Sequence, residues 1–224
     1  MADMRVLGVD GARGGWLGAL VDGGATTWRW SADIRELLAL EADAVAIDIP
    51  IGLPDAGTRW CDRAARRLLG RRGVSVFPAP VRSVLSCPTY ADARAVLARA
   101  GGASMSAQAF GIVRAVRAVD DAITAADESR VVEAHPELAF HLLTREVLES
   151  KKTPVGAARR LAALGATVPD AGELVASAPS PATTDDALDA LVLTWTARRW
   201  LRGEALMLTD GSRDARAILM RIAG

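Results

Sequence analysis

The chain has 224 residues, about half of them apolar, which is enough to build the core of one domain or of one domain with an insertion. The formal net charge is zero, which argues against a protein drawn to nucleic acid or anionic lipid by its overall field. The N-terminal residues show no signal-peptide pattern, and no segment reaches the roughly 18 apolar residues of a membrane span. We therefore expect a cytoplasmic protein without a membrane partner.

The first 50 residues predict three strands, a helix and a fourth strand. The strands are predicted at 4–10, 15–21, 26–30 and 44–49. A glycine-rich joint between the first two favours a hairpin turn, and Ser31 predicts the N-cap of a helix over 31–40. The fourth strand is apolar except for Asp48, which is typical of a strand buried on both faces.

The rest of the chain predicts mainly helices. They are predicted near 58–69, 89–99, 105–126, 136–149, 153–164 and 184–201, with a last one from Arg213. A proline-punctuated loop is predicted at 74–85, and short strands at 130–133 and 205–208. The fold class is therefore α/β.

Acidic residues lie within or at the end of several predicted strands and at the start of a late helix. They are Asp10, Asp48, Glu133, Asp185, Asp186 and Asp189. A carboxylate in a buried strand is costly unless something pairs with it or binds it. The pattern therefore points to a hard divalent cation held by oxygen ligands.

Most of these acids also have an ordinary structural interpretation. Asp10 precedes a glycine and could begin the hairpin turn, and Asp48 could pair with a buried arginine. Asp185 and Asp186 suit a helix N-terminus, where the helix dipole favours negative charge. Asp189 lies in the second turn among apolar residues and is explained less well, although its spacing puts it on the same helix face as Asp186.

Basic residues offer contacts to phosphate. Arg59, Arg63 and Arg66 lie in a basic amphipathic helix, although such an arginine run is most often just a solvated helix face. Lys151 and Lys152 are two further cations that could hold phosphate or developing negative charge.

The histidines carry a weaker signal. His135 and His141 fall on different faces of the predicted helix, which disfavours a zinc site built on a histidine pair. His135 is close in sequence to Glu133, which leaves open a role as general base or in orienting a ligand.

The order of the first elements resembles the ribonuclease H-like fold, in which a first-strand aspartate and a fourth-strand acid meet a late acidic helix. The late helix, with Asp186 and Asp189 three residues apart, is similar to that of RuvC-like Holliday-junction resolvases. This resemblance implies a mixed β-sheet flanked by helices. It also implies Asp10, Asp48, Asp186 and Asp189 as metal ligands.

A more specific resemblance is to the family called domain of unknown function 429, described as predicted RNase H-like nucleases. The segments that carry it are GVDGARGGW (8–16), IDIPIGLP (47–54), RWCDRAAR (59–66), SVFPAPVR (75–82), SAQAFGI (106–112), EAHPE (133–137), SKKT (150–153) and DDALDA (185–190). They follow in order over nearly the whole chain. The turn at 101–104 departs from the family pattern because it lacks a basic residue.

The residues and the resemblance together predict a metal-dependent nuclease or phosphodiesterase that cleaves nucleic acid with two Mg²⁺ or Mn²⁺ ions. Its predicted catalytic residues are Asp10, Asp48, Glu133, Asp186 and Asp189, and its predicted substrate contacts are Arg59, Arg63, Arg66, Lys151 and Lys152. The predicted organisation is a single domain over 1–224 with a helical insertion at about 55–128.

Two other function classes stay open. Actin-like and sugar-kinase-like phosphotransferases also begin with an Asp-Gly hairpin, but they duplicate the fold, so a homodimer would be needed here. A non-catalytic binding module that keeps the fold would agree with the zero net charge. The sequence decides neither the oligomeric state nor whether a substrate would be DNA, RNA or a small phosphoester.

Overall fold

The computed structural model describes residues 4–100 and 105–224, so the turn predicted at 101–104 lies outside it. The chain divides into two compact units. The first contains the described residues up to Asp48, together with Ser129–Leu206 and Ala223–Gly224. The second contains the described residues of Ile49–Glu128, together with Met207–Ile222. The second unit thus includes a segment near the C-terminus in addition to the region predicted as an insertion.

The first unit is built on a five-stranded mixed sheet, which makes this an α/β fold. Its strands are β1 (Val6–Ala12), β2 (Gly15–Asp22), β3 (Ala25–Ser31), β4 (Ala44–Ile47) and β5 (Val131–Glu133). Their order is β3-β2-β1-β4-β5. β1 to β3 form an antiparallel meander, whereas β4 and β5 add parallel strands. Two short strands, β6 (Met207–Leu208) and β7 (Ile222–Ala223), pair separately.

The helices are numbered in chain order across both units. They are α1 (Ile34–Leu38), α2 (Trp60–Leu69), α3 (Tyr90–Arg99), α4 (Ala107–Gly111), α5 (Val113–Ala122), α6 (Pro136–Thr144), α7 (Pro154–Gly165), α8 (Ala171–Ala176) and α9 (Thr184–Leu201). Short 3₁₀ turns cover Gly70–Ser75, Arg82–Ser86 and Ala125–Ser129. Among the described residues, none of these helices combines the length and the apolar character that crossing a bilayer would require.

Helix α9 packs directly against strand β1 in the first unit. A Cβ atom on Gly8 would lie 2.7 Å from the backbone nitrogen of Thr194 and closer still to the carbonyl oxygen of Ala190. Only glycine permits this approach, because a side chain would need the space that the helix backbone fills. The contact also aligns the two elements, so that the end of β1 lies near the first turns of α9.

The second unit has its own small core and its own buried ion pairs. Val81, Val84, Ala93, Leu97 and Val113 form an apolar cluster within it. Arg82 pairs with Asp120 at 2.8 Å and also with Asp214, which ties α5 and the C-terminal loop to the 3₁₀ turn at 82–86.

Several predicted helices end differently in the structure. The N-cap of α1 is Asp33 rather than Ser31, because the Asp33 carboxylate accepts a hydrogen bond from the backbone nitrogen of Arg35. The helix predicted over 105–126 is divided into α4 and α5 at Ile112, and α5 ends at Ala122. The helix predicted over 136–149 ends at Thr144, since Arg145 adopts a left-handed conformation.

The predicted helix from Arg213 does not form. The carboxylate of Asp214 instead accepts hydrogen bonds from the backbone nitrogens of Arg216 and Ile218, at 2.8 and 2.9 Å. An aspartate that bonds to the backbone ahead of it competes with helical hydrogen bonds. Ala217 has a positive φ of 61°, which is incompatible with a continuing right-handed helix.

Candidate carboxylate site

The sheet register brings Asp10 and Asp48 to neighbouring positions. Val9 on β1 is paired with Ile47 on β4, and the backbone nitrogen of Asp48 donates to the carbonyl of Val9 at 2.9 Å. The next residue along each strand is therefore an aspartate, and the two aspartates share a face of the sheet. Asp10 lies two residues after Gly8, so this is the face that packs against α9.

Helix α9 brings a third carboxylate to the same place. Asp189 lies in its second turn, immediately before Ala190, and only 3 % of its surface is exposed. Its carboxylate accepts a hydrogen bond from the ammonium group of Lys151. The side chain of Lys151 is 30 % exposed, so solvent reaches the outer side of this ion pair.

Burial and mutual repulsion perturb all three carboxyl groups. Burial raises the pKa of Asp10 well above its usual value, and the negative charges of Asp189 and Asp48 raise it further. Burial also raises the pKa of Asp48, although the charges of His135 and Lys151 and a hydrogen bond with Asp10 oppose the increase.

Asp189 keeps a raised pKa in spite of its cationic partner. Burial raises the pKa of Asp189 to about 7, while the charge of Lys151 and its hydrogen bond act in the opposite direction. For Lys151 the balance is reversed: burial lowers its pKa, but Asp189, Asp10 and Asp48 together hold the pKa above its usual value. Lys151 therefore remains an ammonium group and supplies positive charge to all three carboxylates.

The loop before α7 places Lys151. The backbone nitrogen and the hydroxyl group of Thr153 both donate to the carbonyl of Ser150, at 2.9 and 2.8 Å, which closes a tight turn around the lysine. Gly156 packs against this turn, and a Cβ there would lie 2.7 Å from the carbonyl carbon of Ser150. The segment SKKT, which carries part of the family resemblance, thus builds the turn that points Lys151 at Asp189.

Asp186 has a structural task at the start of α9. It forms a capping box with Thr183: its carboxylate accepts from the backbone nitrogen of Thr183 at 2.8 Å, and the Thr183 hydroxyl accepts from the backbone nitrogen of Asp186 at 3.3 Å. Its charge also contributes to the raised pKa of Asp10. Asp186 therefore lies beside the site, with one carboxylate oxygen already bonded.

Glu133 has a different position from the one its sequence neighbourhood suggests. It is buried and is paired in the sheet with Ile47, not with Asp48. Because side chains alternate along a strand, Glu133 is directed to the face of the sheet opposite to Asp48. Its predicted role as a ligand stays a prediction, and the sheet register counts against it.

Two residues of the segment EAHPE approach the site from the start of α6. His135 lies close enough to Asp48 for its charge to lower the pKa of that carboxyl group. Glu137 is buried, and its negative charge raises the pKa of both Asp48 and Asp189. Glu137 is not among the predicted site residues, although the segment EAHPE that carries part of the resemblance contains it.

Glu137 is held by a fully buried arginine. Nη2 of Arg160 donates to both of its carboxylate oxygens, at 2.8 and 2.7 Å, and the side chain of Arg160 is inaccessible to solvent. The guanidinium of Arg160 also lies over the ring of Phe140, 5.3 Å from its centroid. The hydrophobic pattern of the sequence could not predict this pairing, because it does not distinguish Arg160 from the other polar residues of α7.

The predicted substrate contacts are divided between the units. Lys151 belongs to the carboxylate site, and Lys152 beside it is exposed. Arg59, Arg63 and Arg66 lie in the second unit. Arg59 is buried there, and it donates to Asp62 and, at 2.8 Å, to the carbonyl of Ile51. The structure therefore gives Arg59 a stabilising role and leaves Arg63 and Arg66 at the surface of a cleft.

The donor chemistry of the site fits a hard cation, but the side chains do not form a closed metal cluster. Carboxylate oxygens are the ligands that Mg²⁺ and Mn²⁺ prefer. Within residues 4–100 and 105–224, however, no group of three His, Cys, Asp or Glu side chains is arranged to hold a metal ion. The ammonium group of Lys151 supplies a positive charge where the carboxylates converge.

Comparison with known proteins identifies the family. The sequence profile of a family described as "Protein of unknown function (DUF429)" matches residues 8–213, which includes all the acidic residues of the site. No curated protein and no solved structure matches the chain. The chain therefore belongs to this DUF429 family.

Proposed function

We propose that the first unit is a metal-dependent phosphodiesterase that acts on nucleic acid. The observation that carries this proposal is the convergence of Asp10, Asp48 and Asp189 from two adjacent strands and one helix. Three carboxyl groups with raised pKa values form a site in which negative charge is poorly compensated. Perturbed groups of this kind concentrate at functional sites.

The fold assignment within this proposal is the ribonuclease H-like one. It is supported by the order β3-β2-β1-β4-β5, with an antiparallel meander followed by parallel strands. It is further supported by Asp10 within β1, by Asp48 directly after β4, and by Asp189 on the helix that packs against β1. Function is inferred from this site and not from the fold alone, because one fold serves many activities.

Asp10, Asp48 and Asp189 are the residues that would hold a divalent ion. When bound, such an ion would activate a water molecule and stabilise the leaving oxygen of the phosphodiester. Asp186 would contribute only through its carboxylate oxygen outside the capping box. We leave Glu133 and Arg59 out of the mechanism, since one is directed to the other sheet face and the other is buried in an ion pair.

Lys151 has two tasks in the proposed mechanism. Without a metal ion, it neutralises part of the charge of the three carboxylates. With substrate present, its ammonium group, which is fixed by the turn at 150–153, could donate to a phosphoryl oxygen. It does not act as a base, because its raised pKa keeps it protonated. The exposed Lys152 could contact the nucleic-acid backbone.

The first test is a calorimetric titration with Mn²⁺ of the wild type and of Asp48→Asn. We expect the wild type to bind and the Asn variant to lose binding, since Asn keeps the shape but not the charge. The matched control is Asp55→Asn, which alters an exposed aspartate of the second unit. Absence of Mn²⁺ binding to the wild type, or equal binding by Asp48→Asn, would overturn the metal site.

The second test measures the cleavage of nucleic acid. Labelled single-stranded and double-stranded DNA and RNA are incubated with Mn²⁺ and the wild type, Asp10→Asn or Asp55→Asn. We expect cleavage by the wild type and by Asp55→Asn, and a loss of at least about a hundredfold in Asp10→Asn, the scale reported for losing one charge-stabilising group. Full activity in Asp10→Asn would rule out the proposed chemistry at this site.

Two observations favour a non-catalytic alternative. The Lys151–Asp189 ion pair and the lack of a closed metal cluster among the described residues agree with a carboxylate site that is only structural. In that case the wild type would bind no Mn²⁺, and Asp10→Asn would change stability alone. The same titration therefore separates the two functions.

A further inference from the structure

The second unit contains a cleft of its own, formed entirely by its own residues. Its volume is about 470 Å³, within the range of small-molecule sites. Helix α2, the loop that precedes it and the proline-punctuated segment form part of the lining, and α3 and α4 complete it. The apolar part of the lining includes Val74, Phe77, Pro80, Val81, Leu97 and Met105.

Two arginines of α2 give this apolar cleft a positive side. Arg63 and Arg66 are three residues apart, so they lie on the same face of the helix, and both line the cleft. Arg63 donates from Nη1 to the carbonyl of Thr58 at 2.6 Å, and Arg66 donates from Nη1 to the carbonyl of Val76 at 2.9 Å. These bonds fix the two guanidinium groups, and among the described residues their Nη2 groups have no acceptor.

The acidic groups near the two arginines leave this charge largely uncompensated. Asp62 also lines the cleft, but its carboxylate is bonded to Arg59 and to the backbone nitrogen of Ala79 at 3.0 Å. Hydrogen bonds from Ser212 lower the pKa of Asp210, and the charge of Arg63 lowers it a little further. Asp210 is exposed on a turn, however, where water screens its charge.

We propose that this cleft binds a small organic anion, with its phosphate or carboxylate group on Arg63 and Arg66 and its apolar body against Phe77 and Leu97. Arginine forks match both kinds of anionic group. The apolar lining, which Met105 and Val81 extend, suits a planar or aliphatic body of the size that the cleft admits. The inference is independent of the carboxylate site, because it uses only residues of the second unit.

The test uses three probes that share one apolar body: 1-naphthyl phosphate, 1-naphthoate and 1-naphthol. Each is titrated by calorimetry into the full chain with a chelator present, so that a metal site cannot contribute. We expect at least one of the anions to bind at least about tenfold more tightly than the neutral naphthol, the scale of a charge-assisted hydrogen bond. Which anion binds better identifies the preferred group. Equal binding of all three, or binding of none, would overturn the proposal.

Two pairs of variants locate the binding. Arg66→Gln should weaken anion binding by about tenfold or more. Arg67 is exposed and does not line the cleft, so Arg67→Gln should leave anion binding unchanged. Val74→Glu adds a negative charge at a lining position that is 70 % exposed and should also weaken binding. Its control is Val155→Glu, at a position of the first unit that is 60 % exposed. Anion binding that persists in both Arg66→Gln and Val74→Glu would place the ligand elsewhere.

Discussion

The ammonium group of Lys151 is hydrogen-bonded to the carboxylate of Asp189, in the second turn of α9, and its charge also reaches Asp10 and Asp48. One lysine therefore balances three carboxyl groups that come from two strands and a helix. Removing this one positive charge should therefore alter both the stability of the protein and the affinity of the site for cations, and both can be measured.

Lys151→Met should lower the free energy of unfolding by about 1–3 kcal/mol near pH 8, since it leaves Asp189 without its partner. The loss should be smaller near pH 5. Burial already raises the pKa of Asp189 to about 7, so at the lower pH a proton can neutralise it instead of the lysine. Urea unfolding at both pH values measures this. Lys152→Met, at the exposed neighbour, is the control, and an equal loss in both variants would contradict the ion-pair account.

The same variant should bind Mn²⁺ more tightly than the wild type if the metal proposal holds. An ammonium group and a divalent ion compete for the same carboxylates, so removal of the lysine should strengthen binding by about tenfold, or roughly 1.4 kcal/mol. Calorimetry on Lys151→Met and Lys152→Met checks this. Weaker binding in Lys151→Met would mean that the lysine organises the ligands and does not compete with the ion.

Asp10→Asn should stabilise the protein at high pH and change it little at low pH. Burial and neighbouring charges raise the folded-state pKa of Asp10 above its unfolded value, so its contribution to stability is present below the unfolded pKa and is lost as pH rises through the folded pKa. Each unit of that shift corresponds to about 1.4 kcal/mol. Asn removes this loss, so the gain in stability should grow as the pH rises above the unfolded-state pKa of an aspartate.

Thermal unfolding of the wild type, Asp10→Asn and the control Asp55→Asn, measured over a series of pH values, tests this expectation. Each kcal/mol gained should raise the melting temperature by about 2–4 °C for a chain of this size. A variant that is destabilised by the same amount at every pH would show that the Asp10 carboxylate makes a favourable native contact instead.

The capping box can be separated from the carboxylate site by paired substitutions. Thr183→Ala and Asp186→Ala should each cost about 0.5–2 kcal/mol of stability, because each removes one bond of the box. Asp186→Asn should cost less, since its amide oxygen can still accept from the backbone nitrogen of Thr183. If Asp186→Asn also loses Mn²⁺ binding while Thr183→Ala keeps it, Asp186 is a ligand as well as a cap.

Gly8→Ala tests the contact that aligns β1 with α9. The new methyl group would meet the backbone at Ala190 and Thr194, so we expect a loss of about 2–4 kcal/mol from forced displacement of the helix. Gly11→Ala is the matched control on the same strand, where a Cβ meets nothing within 4 Å. Equal melting temperatures for the two variants would contradict the close packing of β1 against α9.

Local sequence patterns were sufficient to predict the strands at the start of the chain and the acids they carry. Apolar runs and the glycine-rich joint predicted β1 to β4 within a few residues, because strand alternation and hairpin turns depend on neighbours in the chain. The same holds for α9, whose Thr183 and Asp186 form a local capping box. Local patterns failed at Asp214, where side-chain bonds to the backbone replaced the predicted helix.

Only the tertiary structure decided which charged groups meet. Asp10, Asp48 and Asp189 were predicted together. Lys151 was predicted as a substrate contact but not as the partner of Asp189, and the Arg160–Glu137 pair was not predicted. The sequence also grouped Glu133 with these carboxylates, whereas the pairing of Glu133 with Ile47 places it on the opposite face of the sheet from Asp48. The physical reason is that burial and Coulomb interactions act through space, so residues far apart in the chain determine each other's charge state.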